Sequence, residues 1–355
     1  VKALTQIKSL QPRKESRWQP IISLTSAVEG LLLFATDPPR LALLRQMMRN
    51  RRVSFFPGSV LKQHFNKPPK TYEEQIDLLM ARGLKVDDRA SALQILRRIN
   101  YYRLSGYWHP FKNSDDTFKS DASFEKAIEF YQFDRELRLA FMDMLERVEV
   151  GIRCSISNYL ALTYGTYCHE DARNFYHAFA HAEWLQGLHA ETERSKEKFV
   201  EHFRNDYIEY PKLPVWVAAE VMSFGTLSFM YKGLNGSDQA ELAKPFGVNK
   251  VVVQSWLHTL AFVRNICAHH SRLWNRELSV APKFPHEAAW KPPAIPDPKK
   301  VYGVLCILRH LSVDKPCGDK WRRHVVGLLE RWDAEPRWRN AMGIPVDWKN
   351  SVFWS

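Results

Sequence analysis

From Lys67 onward, apolar residues recur at steps of three and four between short polar breaks, the spacing of helices packed on one side rather than of strands. Thr71 with Glu74 three residues later forms a capping-box pattern. Ile76, Leu79 and Met80 then make a stripe that stops at Gly83, which predicts a short helix. Asp87 or Asp88 caps a second one, with Ala92, Leu93, Leu96 and Ile99 on its buried side. Between Ser123 and Gly165 the residues Leu137, Phe141, Leu145, Val148, Ile152 and Ile156 identify a long amphipathic helix, with a break expected near Asp134. Helical patterns follow over about 181–205, then 214–232 with Pro214 in a first-turn position, then from 249 to about 272 behind Asn249. A proline-rich linker, Pro282 to Pro298, separates these from two last helices near 299–312 and 318–332. Upstream of Asn66 the periodicity is weak. Asp37-Pro38-Pro39 is a turn there, and a short helix over Arg40–Arg49 is the one element expected. Strand alternation is scarce and no repeat of about 20–50 residues is present, so the pattern predicts an all-α helical bundle.

The 355 residues are 45% hydrophobic and 25% charged, too apolar for a disordered chain and sufficient for one sizeable core or two modest ones. The formal charge of +12 suggests a nucleic-acid footprint until it is located. Residues 1–70 carry 13 Lys and Arg against 3 acids, which leaves 38 basic and 36 acidic side chains for the rest. Any basic site in the main body is therefore local. This divides the chain into a basic N-terminal extension, 1–66, and a helical domain, 67–355. Because the chain begins with Val, the extension is expected to be flexible or to lie outside the natural start. The longest nearly uncharged apolar stretch, Ile21 to Ala35, is shorter than the ~20 residues of a bilayer span and contains Glu29. Neither a membrane helix nor a secretory signal is expected. Five cysteines without a CxxC pair fit a reducing compartment, and a cytoplasmic location follows as the expectation.

The chemistry concentrates in FVRNICAHHSRLWNREL, Phe262 to Leu278, where a helix with the apolar stripe Trp256, Leu260, Val263 and Cys267 turns polar. Asn265, His269, Arg272 and Arg276 follow at steps of four, three and four on another face. Arginine offers a permanently charged fork to phosphate oxygens, and histidine gives or takes a proton near neutrality, so the pair suits phosphodiester cleavage. Arg264 and His269 are five residues apart, about 140° around a regular helix, and converge only through a local break or a second chain. The same spacing fits a solvated helix face with two satisfied histidines. A metal site of Cys267, His269 and His270 is the further option, but neighbouring residues project differently and no second ligand cluster accompanies them, so no metal is expected.

The string RNICAHHSRLWN resembles the Arg-polar-x-x-x-His signature of HEPN ribonucleases. KPPKTYEEQIDLLMARGL, INYYRLSGYWHPF and LPVWVAAEVMSFGTLSFMY resemble the bacterial Abi-like family of the AbiD/AbiF abortive-infection group. All four occur in family order, and the resemblance runs from about Lys67 to the terminal AMGIPVDWKNSVFW. It implies a HEPN-like helical bundle with additional N- and C-terminal helices and the motif at 264–269. It also implies a phage-defence toxin that cleaves RNA without a metal or cofactor. On this resemblance Arg264 and His269 are the catalytic pair, with Asn265 the polar residue between them. Two copies in a homodimer would bring their motifs together, and an RNA or protein antitoxin is a further implied partner. The alternative left open is a non-catalytic RNA- or protein-binding defence component on the same fold.

RNA carries its own nucleophile, so His269 would deprotonate the 2′-hydroxyl or protonate the departing 5′-oxygen while Arg264 stabilises the phosphorane. Asn265 would orient His269, bind a phosphate oxygen or make a structural hydrogen bond. Arg272 and Arg276 are candidate RNA-backbone contacts or members of an ion-pairing face. Asn100 to Trp108 places Tyr101, Tyr102 and Arg103 near Gly106, a set that stacks unpaired bases and holds phosphate, or packs as core. Glu146 and Glu149 fit a salt-bridged face, and His109, His169, His177, His181 and His189 fit structural or exposed roles.

Overall fold

The computed structural model describes residues 66–295, 297–312 and 317–355. The basic extension before Asn66, with the helix expected over Arg40–Arg49, lies outside the described residues. Among the described residues there are thirteen α-helices and no strand, so the protein is all-α. None of these helices is long and apolar enough to cross a membrane. The chain divides into two compact units.

The first unit comprises, among the described residues, 66–98 and 111–122. Its α1 (Tyr72–Ala81) starts at the expected capping box: Glu74 N–H donates to Thr71 Oγ1 at 3.2 Å and Thr71 N–H to Glu74 Oε2 at 2.7 Å. Asp88 caps α2 (Arg89–Arg98), its Oδ1 accepting from Ser91 N–H at 3.0 Å. Ile76, Leu79, Ala92 and Leu96 are buried between the two helices. The returning segment adds buried Phe118, whose N–H donates to the Arg82 carbonyl at 2.8 Å.

The second unit, 99–110 and 123–355, holds α3 (Tyr101–Trp108) and the 41-residue α4 (Phe124–Tyr164). Ser123 Oγ accepts from Lys126 N–H at 3.0 Å to open α4, and Gly165 closes it at φ 91°, a left-handed conformation that glycine adopts freely. All six residues of the expected stripe are buried, each worth about 1.5–3 kcal/mol relative to exposure. The break expected near Asp134 is absent; α4 continues through it, because the Asp134 carboxylate bonds the Leu273 and Trp274 N–H groups and pairs with Arg138 instead of competing for N–H groups of its own helix.

The pattern over 181–205 resolves into α5 (His181–Arg194) and α6 (Lys198–Asp206). That over 214–232 resolves into α7 (Val215–Val221) and α8 (Phe224–Gly233), where Ser223 Oγ stops one helix from running into the next by accepting from Thr226 N–H at 3.1 Å. Pro214 is the N-cap of α7, one position earlier than expected. Then come α9 (Gly236–Ala243), α10 (Lys250–Ala268), α11 (Val301–Ser312), α12 (Gly318–Glu330) and α13 (Pro336–Met342). The short helices α3, α9 and α13 were not legible, since two turns carry too few apolar positions to show a period. Helix α4 packs against α3, α7, α10, α11 and α12, so whatever α4 buries is shared with most of the unit.

Candidate functional site at the end of α10

Asn249 opens α10 by accepting the N–H groups of Val251 and Val252 at 3.0 and 3.1 Å, and Trp256, Leu260, Val263 and Cys267 form its buried stripe as expected. The helix ends at Ala268, four residues earlier than the pattern indicates. His269 is the C-cap and His270 follows at φ 55°. His270 N–H donates to the Cys267 carbonyl at 3.0 Å and Ser271 N–H to the Ile266 carbonyl at 2.9 Å, the two hydrogen bonds of a Schellman motif with histidine where glycine is usual. Arg272 and Arg276 are therefore past the helix. The four-three-four spacing does not place them on one face with Asn265 and His269.

The cause of this early stop comes from α4. Asp134, with no solvent exposure, accepts the N–H groups of Leu273 and Trp274 on Oδ1 at 3.1 and 2.8 Å, which fixes the chain in a non-helical path. Its Oδ2 accepts the Tyr107 hydroxyl at 2.7 Å and is paired with Arg138 one turn along α4. Burial pushes the Asp134 carboxyl up, against the pull of Arg138, the Tyr107 hydroxyl and the two backbone N–H groups. Burial also raises Tyr107, which keeps its hydroxyl protonated as a donor. Leu273 and Trp274 are buried beyond this point, with Trp274 stacked on Phe130 at 4.8 Å.

Two further bonds tie the loop to α3. Arg103 Nη1 donates to the His270 carbonyl at 2.7 Å, and Arg272 Nη1 donates to the Gly106 carbonyl. Arg272 turns inward for this contact, and desolvation pulls its guanidinium below the ordinary arginine value. The backbone on both sides of His269 and His270 is thus held by α3 and α4 together.

Arg264 sits half-buried in the last turns of α10. Its Nε lies 3.4 Å from Glu149 Oε2 on α4, and its Nη1 donates to Asn265 Oδ1 at 3.0 Å. The other Glu149 oxygen accepts from Arg153 Nη2 at 3.0 Å, and the same nitrogen reaches the Met222 carbonyl at 3.0 Å. The Asn265 amide is thereby engaged with the arginine; Asn265 meets His269 through its backbone carbonyl, which accepts His269 N–H at 3.0 Å. His269 and His270 are exposed, and neither imidazole makes a hydrogen bond with a described residue.

Within α3, Leu104, Tyr107 and Trp108 are core, the Tyr101 ring meets Trp108 edge-on at 5.1 Å, and Tyr102 is 85% exposed. The segment is at once anchor and surface. Arg276 is half-buried beyond the loop. Cys267 faces the interior and burial pushes its thiol up to about 12, so Cys267, His269 and His270 are divided between core and surface. Asp134, Arg138 and Glu149 were not singled out as site residues from sequence. The available signal was an acid and a base four apart on the otherwise apolar side of α4, an arrangement that reads as a buried pair.

A model of the Abi-like protein family matches residues 94–275, just over half of the chain, and the chain belongs to that family. No curated protein and no solved structure matches it.

Proposed function

We propose that this Abi-like protein is a metal-independent RNA endonuclease of HEPN type, of the AbiD/AbiF group, acting in the cytoplasm as an abortive-infection toxin against phage. Family membership supports the defence role. The observation that carries the chemistry is a docked guanidinium and an uncommitted imidazole at one helix end. Glu149 and Asn265 engage Arg264 through Nε and Nη1, and Nη2 has no partner among the described residues, free for a phosphate oxygen. His269, exposed on the C-cap, transfers the proton. Asn265 serves by fixing Arg264. Tyr102 stacks an unpaired base beside Tyr101, Arg276 contacts the RNA backbone, and Arg103 and Arg272 hold the loop that presents the site.

Arg264 to Ala268 is regular helix, so the angular separation of Arg264 from His269 persists and a homodimer pairing two motifs completes the site. An RNA or protein antitoxin would act by covering it. The Glu149 contact also favours a second reading, in which Arg264 is structural and the site binds RNA without cutting. Incubating the full chain with single-stranded RNA in EDTA separates the two. Cleavage to 2′,3′-cyclic phosphate and 5′-hydroxyl ends supports the nuclease, and binding with no cleavage supports the second reading. Strict magnesium dependence, or 3′-hydroxyl and 5′-phosphate ends, contradicts the chemistry.

A further inference from the structure

We infer that His270 is a second catalytic histidine, sharing acid–base work with His269; this rests on the RNA-cleavage reading above. Cleavage by the 2′-hydroxyl moves two protons at two places. As O2′ bonds to phosphorus, its proton goes to a neutral imidazole; as the P–O5′ bond breaks, O5′ takes a proton from an imidazolium. The products are a 2′,3′-cyclic phosphate and a 5′-hydroxyl, and the two imidazoles have exchanged protonation states. Arg264 stabilises charge on the phosphorane and has no proton to exchange at neutral pH. One histidine per chain leaves one of the two transfers to water or to a second copy.

His270 is built to take that part. It occupies the C′ position of α10 at φ 55°, where glycine fits without cost and a side chain is tolerated with strain. Its backbone is fixed at both ends: N–H to the Cys267 carbonyl at 3.0 Å, carbonyl to Arg103 Nη1 at 2.7 Å. Its imidazole is exposed and has no described partner, so neither packing nor a hydrogen bond accounts for a histidine there. Consecutive α-carbons are ~3.8 Å apart, so a phosphate set against this turn is near both residues. A strained position with a held backbone and a loose proton-transfer group marks function in the side chain.

The test is His270→Gly in the full chain, assayed on single-stranded RNA beside wild type and His269→Ala. Glycine relieves the left-handed strain, so the variant should melt at the wild-type temperature or ~1–3 °C above it while cleavage falls at least ~10²-fold. Stability and activity moving apart in this way is not what a structural histidine gives. His270→Asn, the next best residue in this conformation, should fold and be equally slow. If both variants cleave within a few-fold of wild type while His269→Ala is inactive, the inference on His270 fails and the nuclease reading stands. If wild type itself leaves every RNA intact, both fall.

Discussion

Between Cys168 and His189 three of the four imidazoles are held, His177 being exposed. His169 is buried with Nε2 3.6 Å from Glu170, His181 Nε2 meets the His169 carbonyl at 2.9 Å, and His189 Nε2 meets Glu170 Oε1 at 2.9 Å. At the end of α10 the opposite holds. The backbone of His269 to Trp274 is tied by Asp134, Arg103 and Arg272, and the imidazoles of His269 and His270 are left loose. A histidine whose ring is committed serves the fold. One whose ring is free on a fixed backbone can serve a ligand, because the rigidity needed for catalysis comes from the scaffold and the proton-transfer atom stays available.

The contrast is broken most severely at Asp134. Asp134→Ala strands Arg138 in the core and frees the N–H groups of Leu273 and Trp274, so unfolding free energy should drop by ~3–5 kcal/mol. Denaturant melts measure this. A loss below ~1 kcal/mol would show that the loop is held by Trp274 packing and not by the acid.

Acid comes next and should act on the committed group. Burial holds His169 neutral in the folded chain down to about 4, against 6.5 when unfolded. The unfolded chain therefore binds more protons between those values. The contribution is fully present above pH 6.5 and is lost as pH falls toward 4, by roughly 3 kcal/mol from this group. His169→Gln should flatten the stability–pH curve over that window, and a variant curve parallel to wild type would refute the assignment.

The smallest effect is expected at Arg103. Arg103→Ala removes one exposed donor to the His270 carbonyl and should cost about 1 kcal/mol or less in stability. Its signature is elsewhere: amide exchange at His270 and Ser271 should quicken while exchange in α10 before Ala268 stays as it was. Unchanged exchange at both residues would mean that Asp134 and Arg272 fix the loop without Arg103.

Much of this was legible in the chain. Thr71, Ser123 and Asn249 each announce a helix start by a side chain that bonds its own first turn, a local interaction that spacing records. The ends of α4 lie at the expected Ser123 and Gly165, but its continuity through Asp134 was not legible from the stripe, which begins at Leu137. The end of α10 was not legible, because no glycine or proline follows Ala268; an acid 134 residues earlier in the sequence decides it. The same long-range bond explains why Asp134 looked like a helix break. The site divides similarly. Arg264, His269 and Asn265 stand out in one string, whereas Glu149 read as part of a salt-bridged face because Arg264, which docks on it, is on another helix.

The most direct test of the account is single-turnover cleavage of single-stranded RNA by the full chain, compared with His269→Ala and Arg264→Lys at matched folded concentration. The His269 variant should be slower by ~10²–10⁴, and lysine, which keeps the charge but loses the planar fork, should also fail to cleave at a normal rate. Near wild-type rates from both variants, with the same cut sites, would contradict an Arg264–His269 nuclease.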